Sequence, residues 1–264
     1  ALPIFDNQSA KAKSIRKKYY CPYLDTKCIK ESRTIKYPMG VCSVKYANSN
    51  IAICPKRFLE NNIVFRDVSN KMFGSINNVL LFSEVRITNV GSFDYVLVKH
   101  KPLSSEVEDF CIVEFQTDST TGTGKLVKAF KDFLSGRELD ESYAFGMNTY
   151  NTIKLSYVQM LMKGQVMESW NKNIVWIMQK YVFENMVSRF GLRKLDYKEK
   201  NNTKYFIYDL IRNGNIFNLE LIEKKSSTIS NLLTAFTKQP TPSINEFIKA
   251  LEGKIKLEIG LKIR

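Results

Sequence analysis

The stretch FCIVEFQT, residues 110–117, has the composition of a buried strand but carries a carboxylate and a carboxamide in its second half. Side chains alternate between the two faces of a strand, so Glu114 and Gln116 are predicted to share one face. The other face includes Cys111 and is apolar enough for a core, so Cys111 is expected to be a buried structural thiol. A lone buried carboxylate is costly, and Glu114 should therefore be paired, exposed or bound to a metal.

The sequence around this stretch predicts a mixed α/β (α+β) fold built on one core. Runs of β-branched and aromatic residues predict strands between about residues 61 and 120, and apolar residues at helical spacing predict helices after them. Ser or Thr near the start of the last two helices is expected to cap them. The predicted strands are NIVFRDV, VLLFSEVRIT, FDYVLVKH, FCIVEFQT, NIVWIMQ and the hairpin TKYFIYDLI–RNGN–NIFNLELIEK; the predicted helices are GKLVKAFKDFLSG, residues 150–168, YVFENMVSRFG, TISNLLTAF and SINEFIKALEGK.

Four of the five cysteines lie near the start of the chain, with the spacing C-x6-C-x13-C-x11-C. In an intracellular chain such a set favours a tetrahedral thiolate site over disulfides. Its role would be structural, and sulfur ligands do not distinguish zinc from iron. We therefore predict a basic lead-in and four-cysteine module at 1–60 and a core domain at 61–264. The proposed ligands are Cys21, Cys28, Cys42 and Cys54.

The overall charge points to a polyanionic partner. The chain carries 40 Lys and Arg against 26 Asp and Glu, a net charge of +14, and such an excess favours phosphate neutralisation. No apolar run approaches the roughly 20 residues that cross a bilayer, and lysines interrupt any secretory signal near the start. A soluble intracellular protein is expected.

His100 is the only histidine of the chain, which excludes nucleases that need two histidines. A Ser-His-Asp hydrolase would depend on this residue, which lies between Lys99 and Lys101. We expect His100 to be an ordinary surface residue. Carboxylates and water are left as the main agents of acid–base chemistry.

Asp94 lies in the strand-like segment that precedes the 110–117 stretch, and a hairpin return would bring it beside Glu114. Two clustered carboxylates repel unless a cation lies between them. Mg²⁺ suits such oxygen ligands, and it can activate water and stabilise charge on a phosphate. The arrangement Asp94-x19-Glu114-x-Gln116 resembles the PD-(D/E)xK nuclease core, with Gln in the usual place of Lys. Glu84 is an upstream acid that could add a ligand or orient the water.

Taken together, these segments resemble the NotI-type restriction endonuclease family. The resemblance rests on CPYLDTKCIKESRTIKYPMGVCSV, AICPKRFL, FDYVL and VEFQT, and extends through KLSYVQMLMKG and IVWIMQKYVFENMVSRF. It implies a PD-(D/E)xK-like mixed central sheet flanked by helices, with a small N-terminal module. It also implies Mg²⁺-dependent cleavage of double-stranded DNA at a palindrome, and an iron ion held by the four cysteines. Asp94, Glu114 and Gln116 match the family's active-site segments. The resemblance makes Glu84, the acid upstream of them, a fourth candidate active-site residue.

Cleavage at a palindrome calls for two sites related by a two-fold axis, so a homodimer is expected inside a prokaryotic cell, without a membrane partner. Basic side chains of the lead-in and the cysteine module are candidates for reading bases, although a phosphate contact or a solvated position is the simpler interpretation of each. Trp170 and Trp176 are expected in the core. The DNA-binding candidates are Arg16, Lys17, Lys18, Lys27, Lys30, Arg33 and Lys36.

Two other functions remain open from the sequence. A metal-stapled, sequence-specific DNA-binding protein without catalysis would explain the charge and the cysteines, but would not need Glu114. An RNA-processing or repair nuclease would share the acids, but would act on RNA or without a fixed sequence.

Overall fold

The computed structural model describes residues 2–31, 36, 38–139, 143–192 and 195–257. Within these residues, no helix has the length and apolar character needed to cross a membrane. In chain order the elements are β1 (Leu2–Pro3), α1 (Ala10–Lys17), β2 (Tyr20–Cys21), β3 (Thr26–Lys27), β4 (Ser43–Tyr46), β5 (Ser49–Ala52), a 3₁₀ helix (Pro55–Asn62), α2 (Ile63–Phe73), β6 (Val79–Ile87), β7 (Gly91–His100), β8 (Val107–Gln116), α3 (Thr123–Leu134), α4 (Thr149–Ser169), β9 (Asn173–Gln179), α5 (Lys180–Phe190), β10 (Thr203–Asn213), β11 (Ile216–Ser227), α6 (Ile229–Thr237) and α7 (Ile244–Lys256).

A six-stranded mixed sheet in the order β11-β10-β9-β8-β7-β6 forms the centre of the fold. The strands β6, β7 and β8 make an antiparallel meander, and β8 and β9 are parallel. The chain between β8 and β9 contains α3 and α4, because parallel neighbours need a long crossover. The predicted mixed sheet flanked by helices is confirmed at this level.

The central strands β8 and β9 are buried on both faces of the sheet, whereas the edge strand β6 is largely exposed. On one face, Ile112 and Trp176 pack in a cluster with residues of α4, α5 and α6. On the other face, Cys111 and Val113 pack with residues of α2. This two-sided burial explains the nearly continuous apolar composition of β8 and β9, since a strand with one wet face would alternate more regularly. The prediction of a buried Cys111 is confirmed.

Two local predictions are wrong. The segment NIVFRDV lies largely in helix α2, because Val64, Phe65 and Val68 share the buried face of a helix and not of a strand. Trp176 is buried as expected, but Trp170 is 45% exposed where α4 ends. The last two helices are capped as predicted by Thr228 and Ser243, and the predicted hairpin joins β10 and β11.

The N-terminal region has its own small sheet, β1-β4-β5, which packs on α3. This region therefore shares a buried apolar cluster with α3. The buried amide of Gln179, where β9 ends, joins it to the central sheet. Its Oε1 accepts from the N–H of Ala52 at 2.7 Å, and its Nε2 donates to the carbonyl of Asn50 and to Asp209. The domain boundary at residue 60 stays a prediction.

Gly40 allows close approach between the N-terminal region and α3, and offers a test of this packing. Its φ is +69°, and an added Cβ would lie 2.9 Å from Cδ1 of the Phe130 ring. Gly74 has nearly the same φ, +72°, with nothing within 4 Å, so it is the matched control.

Gly74→Ala should lower the free energy of unfolding by about 1 kcal/mol through backbone strain. Gly40→Ala should cost a further 1–3 kcal/mol or so through overpacking, measured by urea unfolding. Equal losses for the two variants would contradict this packing.

Candidate active site

The three predicted acids lie in line across the meander. Ser83 pairs with Tyr95 and Val85 with Phe93, which places Glu84 opposite Asp94. The regular pairing of β7 and β8 ends at Tyr95–Val113, one position before Asp94 and Glu114 would meet. There the Oδ2 atom of Asp94 accepts from the backbone N–H of Phe115 at 2.9 Å. The hairpin return inferred from the sequence thus brings Asp94 and Glu114 together.

Glu114 is almost fully buried, with 2% of its surface exposed. Its Oε2 atom lies 2.7 Å from the ammonium of Lys163, which comes from helix α4 and is itself buried. The same ammonium donates to the backbone carbonyl of Ser92 at 2.9 Å. The Oε1 atom of Glu114 is buried without a hydrogen-bond partner among the described residues. Sequence reasoning missed Lys163, although it lies in one of the segments that carry the family resemblance.

Burial raises the pKa of Glu114 to about 7, against the opposing influence of the nearby Lys163 ammonium. The neighbouring Asp94 raises it further, because two negative charges repel. The carboxylate is therefore held at a cost that an added cation would relieve. Glu114 and Asp94 together supply the hard oxygen ligands that Mg²⁺ prefers, and one or two protein carboxylates are typical of such sites.

Gln116 lies two residues beyond Glu114 on β8, at the start of the loop that leads to α3. Its Nε2 donates to the carbonyl of Thr117 at 2.8 Å, so the neighbouring backbone orients the carboxamide. Asp118 follows and is buried; its Oδ2 accepts from the Thr149 hydroxyl at 2.6 Å, at the start of α4. Burial raises the pKa of Asp118. Asp118 thus joins the loop to the helix that carries Lys163.

Glu84 is exposed and has a φ of +56° inside strand β6. Such a backbone angle is uncommon for a residue with a side chain, and it is often found near functional sites. On the neighbouring strand, Tyr95 receives a hydrogen bond from Lys56. Burial raises the pKa of Tyr95, Lys56 lowers it, and the charges of Asp94 and Glu84 raise it. A lysine next to the cysteine module thus lies near the acids.

His100 lies at the opposite end of β7 from Asp94, where Nδ1 contacts the carbonyls of Lys101 and Ser104. His100 is only partly exposed, and its interpretation as an ordinary surface residue stays a prediction.

The four N-terminal cysteines line one cavity of about 470 Å³ and form no disulfide. Burial raises the pKa of Cys42 to about 12, and the other three cysteines raise it further. Among the described residues, however, no three His, Cys, Asp or Glu side chains are arranged as a ready-made metal site, either here or at the acids.

A comparison with protein-family models assigns this chain to a family. The model of the restriction endonuclease NotI family matches residues 4–220, which include the cysteine module and all four candidate active-site residues. The chain belongs to the NotI restriction endonuclease family. A search of curated proteins gives no match. As in any restriction endonuclease, DNA is the implied partner.

The proposed DNA contacts of this NotI-family chain differ in their surroundings. Arg16 is half-buried and lies over the ring of Phe133, with its guanidinium donating to the carbonyl of Asn7. Lys30 lies near Cys28, Cys42 and Cys54, whose charges act on its pKa, but burial is the larger effect and lowers it. Both side chains have structural contacts that compete with a role in DNA reading. The exposed candidates are Lys17, Lys18, Lys27 and Lys36, and Arg33 lies outside the described residues.

In this NotI-family site, Glu114 and Lys163 should show a large coupling free energy in a double-mutant cycle. At about pH 8, Glu114→Gln or Lys163→Met leaves a buried group without its partner, so each should lower the free energy of unfolding by about 3 kcal/mol. The double variant should cost less than the sum by at least about 1.5 kcal/mol, measured by denaturant unfolding.

The control for this cycle is the pair Lys172–Asp109, whose acid lies on the same strand β8; its N–O distance is 2.6 Å and its side chains are 32% and 42% exposed. Its coupling free energy should stay below about 1 kcal/mol, because solvent screens it. Equal coupling in the two pairs would show that burial does not strengthen the first.

Proposed function

We propose that this NotI-family chain is a type II restriction endonuclease with a PD-(D/E)xK-like site, which uses Mg²⁺ to hydrolyse phosphodiester bonds at a palindrome in double-stranded DNA. The observation that carries the proposal is the buried Oε1 atom of Glu114, which has no partner in the described residues and lies on a carboxylate next to Asp94. A buried carboxylate oxygen without a hydrogen bond is costly unless a cation or substrate group completes it. The family match supplies the class of reaction.

Each residue has a distinct task in this proposal. Asp94 and Glu114 would hold Mg²⁺, which when bound activates water and stabilises charge on the scissile phosphate. The N–H of Phe115 fixes one oxygen of Asp94, leaving the other for a ligand. Gln116 cannot donate a proton to the leaving group, but its carboxamide can hold the attacking water by a hydrogen bond. Glu84, opposite Asp94, is proposed to complete the metal shell or to orient that water.

The proposed function implies a homodimer and a surface that contacts DNA. The enzyme would act as a homodimer, because the two strands of a palindrome present equivalent bonds about a two-fold axis. The basic surface of the lead-in and the cysteine module would contact DNA phosphates, with the net charge of +14 assisting encounter. We place such an enzyme inside a prokaryotic cell.

The proposed activity can be tested on plasmid and phage DNA with Mg²⁺, followed by sequencing of fragment ends. Wild-type protein should give discrete fragments with a common palindromic end. Asp94→Ala or Glu114→Ala should lower the cleavage rate by about 10³-fold or more, because the metal ligands are lost, while DNA binding is retained.

Asp109→Ala provides the matched control, since Asp109 lies on the same strand and pairs with Lys172 away from the site. This variant should cut as wild type does. A DNA shift with no cleavage by wild-type protein would instead favour the non-catalytic DNA-binding function. Cleavage without a common end, or of RNA, would favour the processing or repair nuclease.

The four cysteines are proposed to hold one iron or zinc ion with a structural role. The donor set fits such an ion, because four reduced thiols line one cavity and each disfavours ionisation of Cys42. A bound cation would remove that mutual repulsion, and its binding would stabilise the fold of this region.

Metal analysis of purified protein tests the cysteine site. Wild-type protein should contain about one tightly held Fe or Zn per chain, and Cys21→Ser should lose it together with stability. Cys111→Ala is the control, because Cys111 is buried in the central sheet on the side of α2 and should not affect metal content. Wild-type protein with no tightly held metal would refute the site.

A further inference from the structure

Lys163 is a buried group at the candidate active site to which the proposed chemistry has so far given no role. It lies on α4, and its ammonium contacts both strands that carry the acids: the carbonyl of Ser92 on β7 and the carboxylate of Glu114 on β8. It lies 5.4 Å from the centre of the Phe93 ring, which borders it on the apolar side. A lysine ammonium has three donors, and two of them are used here.

The position of these contacts is specific. The backbone ladder between β7 and β8 ends at Tyr95–Val113, just before the two acids. Beyond that point, the described hydrogen bonds between the strands involve side chains: Asp94 accepts from the N–H of Phe115, the Glu114 carboxylate accepts from the backbone N–H of Asp94, and Lys163 contacts Ser92 and Glu114. The separation of the two carboxylates is therefore set by these side chains and not by regular strand pairing.

We propose that Lys163 is a positioning residue for the metal site, which clamps β7 to β8 and holds the Oε2 atom of Glu114 so that Oε1 stays available to the cation. The inference rests on the proposed function. It goes beyond that function by assigning to helix α4 a part in metal binding. Groups that orient metal ligands commonly change metal affinity or activity by about 10- to 100-fold when they are removed.

A purely structural ion pair is the competing interpretation. Buried ion pairs can be replaced by apolar side chains of similar size without loss of stability. In that case a folded Lys163→Met variant would keep normal metal affinity and activity. The two interpretations differ in metal binding, which stability measurements do not report.

The test compares wild type with Lys163→Met, Lys163→Gln and Lys163→Arg. Mn²⁺ binding to the full-length protein is titrated by electron paramagnetic resonance without DNA, and cleavage is measured in single turnover over a series of Mg²⁺ concentrations. Lys163→Met and Lys163→Gln should weaken Mn²⁺ binding by about 10-fold or more and raise the Mg²⁺ requirement of cleavage similarly. Lys163→Arg keeps the charge and two donors, and should restore most of the affinity. DNA affinity without divalent metal should change by less than about twofold.

Lys172→Met is the matched control, since Lys172 also pairs with an acid of β8, Asp109, and lies 5.5 Å from an aromatic ring centre. It should leave Mn²⁺ binding unchanged. Wild-type Mn²⁺ affinity and cleavage in folded Lys163→Met would overturn the inference. Should that variant not fold, equal Mn²⁺ binding by Lys163→Gln and Lys163→Arg would overturn it instead. Wild-type protein that neither binds Mn²⁺ nor cuts DNA would mark a failure of the proposed function itself.

Discussion

The arrangement of the candidate site depends on one buried carboxylate, Glu114, in the middle of the central sheet. Strands flank β8 on both sides and helices cover both faces, so the carboxylate has little access to water. Burial of an unpaired charge there would cost several kcal/mol, and the group would otherwise take up a proton. Lys163 offsets part of that cost from α4. The site is thus built from two elements that are far apart in the chain and meet only in the folded molecule.

The helices around the sheet have separate tasks that follow from what they contact. Helix α4 carries Lys163 to Glu114, and its start is tied through Thr149 to Asp118, just beyond Gln116. Helix α3 packs on the N-terminal sheet, so part of the predicted core domain shares a hydrophobic cluster with the cysteine module. Gln179 adds a polar link between this region and β9 and β10. The N-terminal region and the central sheet are therefore joined by both apolar and polar contacts.

Much of the fold could be predicted because its signals are local. Apolar spacing located α3, α4 and α5, and the cap residues Thr228 and Ser243 marked the starts of the last helices. The interpretation of NIVFRDV as a strand failed because a short run with four apolar residues fits either a strand or one face of a helix; packing against the sheet selected the helix. Trp170 was misjudged because exposure at the end of a helix leaves no trace in periodicity.

For the site, the sequence by itself determined the residue types and the strand alternation that put Glu114 and Gln116 on one face, together with the family resemblance that the comparison confirms. Only the tertiary structure decided the line of Glu84, Asp94 and Glu114 across three strands and the presence of Lys163 among them. The physical reason is that strand register and helix placement depend on long-range packing, whereas alternation and spacing are properties of consecutive residues. A lysine 49 positions away from its carboxylate carries no local mark of that contact.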